Sequence, residues 1–178
     1  VEWKGAAILI CGANGAGKST LMRSLLLEGA TYLSDDSAPI RPGTPENSRP
    51  EILPSPETLG TAGIPESEYN ILIGRGFRPG PDPRFLMPPD NRRPAPLGAV
   101  FFAKQSDAPA RLVSLTKKDS MLKILMSLKT PLPVEETGGW FRICAEITDR
   151  IPAADIIAER GKTFPPEALI EFCEKSRI

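Results

Sequence analysis

Ala6-Ala7-Ile8-Leu9-Ile10-Cys11-Gly12-Ala13-Asn14-Gly15-Ala16-Gly17-Lys18-Ser19-Thr20-Leu21 is the stretch from which the rest of this chain can be read. Its first six residues are a short, unbroken apolar run ending at glycine, the pattern of a buried parallel-type strand. From Lys18 onward Leu21, Met22, Leu25 and Leu26 recur at helical spacing until Gly29 supplies a stop. Between strand and helix, Gly12 to Ser19 matches GxxxxGK[ST] at every fixed position. Gly12, Gly15 and Gly17 let successive N–H groups turn around a phosphate with no Cβ in the way. The helix beginning near Lys18 aims its partial positive end at the same point. In this pattern Lys18 reaches the β- and γ-phosphates and the Ser19 hydroxyl ligates Mg²⁺.

Downstream, Thr31-Tyr32-Leu33-Ser34 is expected to be a second strand beside the first, closed by Asp35-Asp36. Strand, glycine loop, helix and strand would make a compact βαβ unit with a right-handed crossover. Ligands of open α/β sheets sit outside the carboxyl ends of the strands, so both carboxylates are expected to face the phosphate site. One Asp suits Mg²⁺ and the other suits a proton from a hydroxyl nucleophile. The chain has no histidine, which excludes Ser-His-Asp and Cys-His sites and imidazole zinc ligands within it and leaves Asp35 and Asp36 as the best bases.

Next comes a change of character. Of the 20 prolines, 14 lie between Pro39 and Pro96, with seven Arg, seven acidic residues and no Lys. We expect residues 41–96 to be a loop-rich insertion and the least ordered part of one domain spanning 1–178. Asn70-Ile71-Leu72-Ile73 and Phe85-Leu86-Met87 are its strand-like runs. Arg75 and Arg78 lie in Gly74-Arg75-Gly76-Phe77-Arg78, where a guanidinium could clamp a phosphoryl group or an acidic substrate.

Regular pattern returns at Leu97. Residues 99–103 form an apolar strand pattern, with Arg111–Leu115 expected as its neighbour. Thr116-Lys117-Lys118-Asp119 is a capping box for a helix carrying Met121, Leu122, Leu125 and Leu128, ended by Pro131. Trp140, Cys144, Ile147 and Ile151 make one helical stripe, broken at Pro152. Pro165-Pro166 opens a last helix through Leu169, Ile170, Phe172 and Cys173.

Lys+Arg and Asp+Glu both number 22, which argues against binding nucleic acid through bulk positive charge. No apolar run reaches the length of a membrane span. The cysteines, Cys11, Cys144 and Cys173, form no CxxC pair, so buried free thiols and a reducing, cytoplasmic setting are expected. The start at Val1, without Met and already approaching a strand, suggests a piece of a longer protein.

Several P-loop classes are excluded. There is no LSGGQ-like signature and no late apolar strand ending in Asp-Glu, as an ABC-transporter ATPase requires, nor the NKxD and DxxG elements of a GTPase. The chain resembles the HPr kinase/phosphorylase family, in particular its smaller HPr-kinase-related relatives. The resemblance is carried by Ala7 to Leu21 and by Gly29-Ala30-Thr31-Tyr32-Leu33-Ser34-Asp35-Asp36. Weaker echoes lie in Pro96–Phe102 and Ile147–Ala153. The resemblance implies a P-loop kinase core related to phosphoenolpyruvate carboxykinase, an α/β fold with a mixed sheet flanked by helices. It implies ATP held by Gly12, Ala13, Asn14, Gly15, Ala16, Gly17, Lys18, Ser19 and Thr20, and Mg²⁺ held by Ser19 and Asp36. Asp35 would be the base, with Asp36 assisting. The acceptor would be a Ser/Thr hydroxyl of a peptide or small protein, as in kinases found beside peptide-modifying enzymes, and a homo-oligomer would be expected. The family's Glu-x-Arg-Gly-Leu-Gly segment has no counterpart here, and its histidine would fall upstream of Val1. A nucleotide-binding module without turnover, or a small-metabolite kinase, are the alternative readings.

Overall fold

The structure, a computed structural model, describes residues 1–43, 49–90, 92–127 and 134–176. Strand β1 (Glu2–Trp3) turns back through Lys4 and Gly5, both at positive φ, into β2 (Ala6–Cys11). Positive φ at both turn positions gives a twist that matches the flanking strands. Helix α1 (Lys18–Glu28) follows and buries Leu21, Met22, Leu25 and Leu26. Gly29, at φ 118, closes it by returning its N–H to the Leu26 carbonyl.

The proline-rich segment is more regular than expected. It holds β3 (Ile40–Arg41), β4 (Glu51–Ile52), β5 (Leu59–Gly60), α2 (Glu66–Gly74), β6 (Arg78–Pro79) and β7 (Phe85–Met87). Strands β5, β7 and β6 form a small antiparallel sheet, so the expected strand at 85–87 is present. The expected strand at 70–73 is instead the end of α2. A short apolar run is ambiguous between strand and helix. Here Pro65 leads in, and Glu66 and Glu68 occupy the first turn, where carboxylates favour a helix start.

The second half contains β8 (Ala95–Ser106), β9 (Arg111–Ser114), α3 (Lys117–Ser127), α4 (Val134–Arg150), β10 (Ala153–Glu159) and α5 (Pro166–Lys175). The capping residue at α3 is Thr116, whose Oγ1 accepts the Asp119 N–H at 3.2 Å. Leu128 and Pro131, expected to continue and end this helix, lie outside the described residues.

In the main sheet β2, β8 and β10 run parallel, while β1 and β9 flank them antiparallel in the order β1-β2-β8-β10-β9. Strand β4 pairs with the start of β8, and β3 pairs with β4. Two expectations are corrected. Thr31–Ser34 is not a strand beside β2: the strands that pair with β2 are β1, at Ala6 and Ala7, and β8, and Thr31 makes one bridge, to Glu2 of β1. Nor is β9 the neighbour of β8, because β10 lies between them. Its run Ala-Ala-Asp-Ile-Ile-Ala is interrupted by Asp155, a buried carboxylate 2.5 Å from Lys123 Nζ and 3.4 Å from Lys104 Nζ.

Alternation along the strands divides the core. Ile8, Phe101, Ala103, Ala154 and Ile156 pack with α1 and α5. Ala7, Val100, Phe102 and Ala153 pack with Ile124 of α3 and with Cys144 and Ile147 of α4. The fold is thus mixed α/β, a mixed sheet between helices. Cys144 and Cys173 are buried free thiols as expected, and Cys11 is half-buried. Among the described residues no helix is long and apolar enough to cross a membrane.

Candidate functional site

The loop from Gly12 to Gly17 lies where β2 ends and α1 begins. Gly12 is required by a close approach: a Cβ there would lie 2.5 Å from the Ala103 carbonyl oxygen of β8. Gly17 stands at the helix N-cap with φ 89, a left-handed conformation that glycine adopts without strain. No side chain caps this end, and no acidic residue lies in the first turn. The orphan N–H groups and the positive end of the helix dipole are therefore not satisfied by side chains of the helix's own start. Lys18 folds back over the loop, its Nζ donating to the Ala13 carbonyl at 3.0 Å.

Both acidic residues arrive beside this loop, although not on the strand expected to carry them. Ser19 Oγ donates to Asp35 Oδ1 at 2.9 Å. Burial pushes the Asp35 carboxyl above its ordinary value; the Ser19 hydrogen bond opposes this, and Asp36 and Glu57 add to it. Asp36 follows on an exposed turn.

Glu57 orders that turn and was missed by sequence reading. Its Oε2 accepts the backbone N–H groups of Asp35, Asp36 and Ser37 at 3.3, 3.1 and 3.4 Å, and the Ser34 hydroxyl at 2.9 Å. Its Oε1 accepts the Ser37 hydroxyl at 2.7 Å. Burial alone would raise the Glu57 carboxyl, but these donors outweigh it and hold it down at about 2. The Glu57 backbone is fixed in turn: Tyr32 OH donates to its carbonyl at 3.1 Å, and Ser55 N–H donates to the Leu33 carbonyl at 2.8 Å. Sequence offered no motif for Glu57, which lies in the proline-rich segment 22 residues beyond Asp35.

Arg75 and Arg78 are not brought to the loop. Arg75 Nη2 donates to the Leu27 carbonyl at 2.6 Å, in the last turn of α1. That turn is roughly 13 Å along the helix axis from Lys18, given 1.5 Å per residue. Arg78 pairs with Asp90 at 2.7 Å on the surface.

A cleft of about 720 Å³ opens between the Asp35–Asp36 turn, Lys18, the start of the loop and the sheet face under α3 and α4. On the opposite side of the loop a hollow of about 60 Å³ lies between Ala16, Gly17 and Thr20 and the β10–α5 connection at Lys162–Phe164.

Among the described residues no group of three or more His, Cys, Asp or Glu side chains is placed to hold a metal ion. The chemistry of the donors present fits Mg²⁺ bound with a nucleotide. Ser19 Oγ and the two aspartates are hard oxygen donors, and Mg²⁺ is ordinarily held by one or two carboxylates together with substrate phosphates and water. The uncapped helix start fits the phosphates themselves. Comparison of the chain with protein-family models, curated proteins and solved structures finds no match.

Proposed function

We propose that the chain is an HPr-kinase-like P-loop phosphotransferase, which moves the terminal phosphoryl group of Mg-ATP to a Ser or Thr hydroxyl of a peptide or small protein. The observation that carries this reading is the hydrogen bond from Ser19 to Asp35, which joins the end of the glycine loop to the acidic turn. A cation ligand, a lysine and a carboxylate base then share one corner, which is most of what phosphoryl transfer asks of a protein.

The loop amides and the start of α1 hold the β- and γ-phosphates. Lys18 exchanges the Ala13 carbonyl for phosphate oxygens. Asp35, whose burial makes it a better proton acceptor than an exposed aspartate, takes the proton of the attacking hydroxyl. Ser19 and Asp36 are the cation ligands, and bound Mg²⁺ supplies charge neutralisation at the phosphates. In-line transfer puts the attacking and leaving oxygens on opposite sides of the phosphorus. The acceptor accordingly enters by the large cleft beside Asp35, with the leaving oxygen of the nucleotide on the other side of the phosphorus.

The test is incubation with Mg-ATP and a panel of Ser/Thr peptides, read by mass for a gain of about 80 Da. Asp35→Asn is expected to lower turnover by about 100-fold or more, in keeping with loss of a general base. ATP affinity should stay within about threefold, and added Mg²⁺ should not restore the rate. Asp36→Asn should be partly restored by Mg²⁺. Near-normal turnover in Asp35→Asn would sink the assignment of the base.

A further inference from the structure

We infer that the peptide segment flanking the acceptor hydroxyl is uncharged and apolar, and that it seats in the cleft between the β2–β8 face and helices α3 and α4. This deepens the kinase reading and rests on it for the identity of the hydroxyl. The charged side chains among the described residues lining the cleft are Lys18, Asp35 and Asp36, all at the loop end. Beyond them the walls are uncharged and mainly apolar: Leu9 and Val100 on the sheet, Ile124 on α3, Trp140 and Ile147 on α4, and Ile40 on β3 opposite, with Ser127 at the end of α3. Cys11, also in the wall, is uncharged at neutral pH, since burial pushes its thiol up to about 11.

This polarity gradient has a chemical consequence. A ligand with a hydroxyl at one end and an apolar body behind it matches the site along its whole length. A charged flank would lose its hydration on entry and, among the described lining residues, meet no opposite charge past Asp36. The volume, about 720 Å³, lies within the range of specific ligand pockets, roughly 300–1,000 Å³.

The outer wall favours an extended chain over a compact alcohol. Strand β3 pairs on one side with β4 and with no other described strand. The inference places the peptide along the other edge of β3, as an added strand whose alternate side chains enter the apolar cleft.

The experiment compares two peptides of equal length around one serine, one flanked by Leu, Ile and Val and the other by Asp and Lys. Binding to the full chain is followed by the fluorescence of Trp140 in a Trp3→Phe background, and phosphorylation by mass. The apolar peptide is expected to bind at least about tenfold more tightly, a difference of about 1.4 kcal/mol. Ile40→Asp should remove that preference, and so should Met126→Glu, a change at an exposed residue of the mouth, with ATP affinity unchanged in both. Equal binding of the two peptides, or an unaltered preference in Met126→Glu, overturns the inference. So does a compact apolar alcohol that is phosphorylated in place of either peptide. Selective binding of the apolar peptide without any phosphoryl gain upholds the cleft assignment and sinks the kinase reading. Equal phosphorylation of both peptides does the reverse.

Discussion

The Glu57 carboxylate takes backbone N–H groups from three successive residues of the acidic turn, so the direction of Asp35 and Asp36 is set from 22 residues away. An amide at this position keeps one acceptor oxygen and brings an N–H where donors already point. Glu57→Gln should therefore destabilise the turn, by about 0.5–1.5 kcal/mol, the net worth of a hydrogen bond at a part-exposed site. On the proposed kinase reading, phosphoryl transfer should fall about tenfold or more through kcat, while ATP affinity, which that reading assigns to the loop and α1, stays within about threefold. A merely structural role would lower the melting point and leave kcat per folded molecule intact, which active-site titration would reveal. The pH dependence has a definite sign. With a folded value of about 2 against an ordinary 4.5, ionised Glu57 contributes stability that is fully present above about pH 4.5 and is lost as pH falls toward 2. The stability gap between wild type and Glu57→Gln, read from urea midpoints, should shrink across that window; a gap independent of pH would show that the charge is not what holds the turn.

At the scale of elements, β2, its glycine loop and α1 were legible because three independent signals coincide there: an apolar run, turn glycines and a 3.6-residue stripe. The stripe on α4 and the capping threonine of α3 were legible for the same reason. What failed was pairing and ambiguity. Nothing local tells residues 31–34 that β1 and β8 are the strands that pair with β2, nor separates a strand from a helix at 70–73. Asp155 hid β10 because its two lysine partners come from other elements. At the candidate site, Lys18, Ser19 and Asp35 were readable as a motif plus a spacing, whereas Glu57 acts through backbone amides and leaves no pattern. One consequence of the β2–β8 pairing is testable at Gly12, where β8 passes so close that a Cβ would meet the Ala103 carbonyl at 2.5 Å. Gly12→Ala should cost about 1–3 kcal/mol, as overpacking does. On the proposed reading it should also weaken ATP binding, because the loop must move off the β8 edge. Gly15→Ala, which meets nothing within 4 Å, separates that clash from the cost of positive φ alone.

At the scale of the whole molecule, the proline-rich segment is part of the core. Leu59, Leu72, Phe77 and Leu86 belong to the same buried cluster as Leu25, Leu26 and Phe101. Tyr32 and Phe77 stack edge to face with ring centroids 5.8 Å apart, joining the segment to the chain just before the acidic turn. The prolines restrict the unfolded chain as well, so irregular backbone there costs less to order than glycine-rich loops would. If the segment were a detachable excursion, a cavity inside it would leave the sheet untouched. The two tryptophans give one reporter for each face: Trp3 packs on the α1–α5 side and Trp140 on the α3–α4 side. Leu72→Ala removes a fully buried side chain and should cost about 2–5 kcal/mol. Because both faces share one sheet, the Trp3 and Trp140 unfolding curves should coincide in wild type and shift together in the variant. Separate midpoints, or a shift seen by Trp3 alone, would mean that the faces unfold independently and that the proline-rich segment stabilises only its own side.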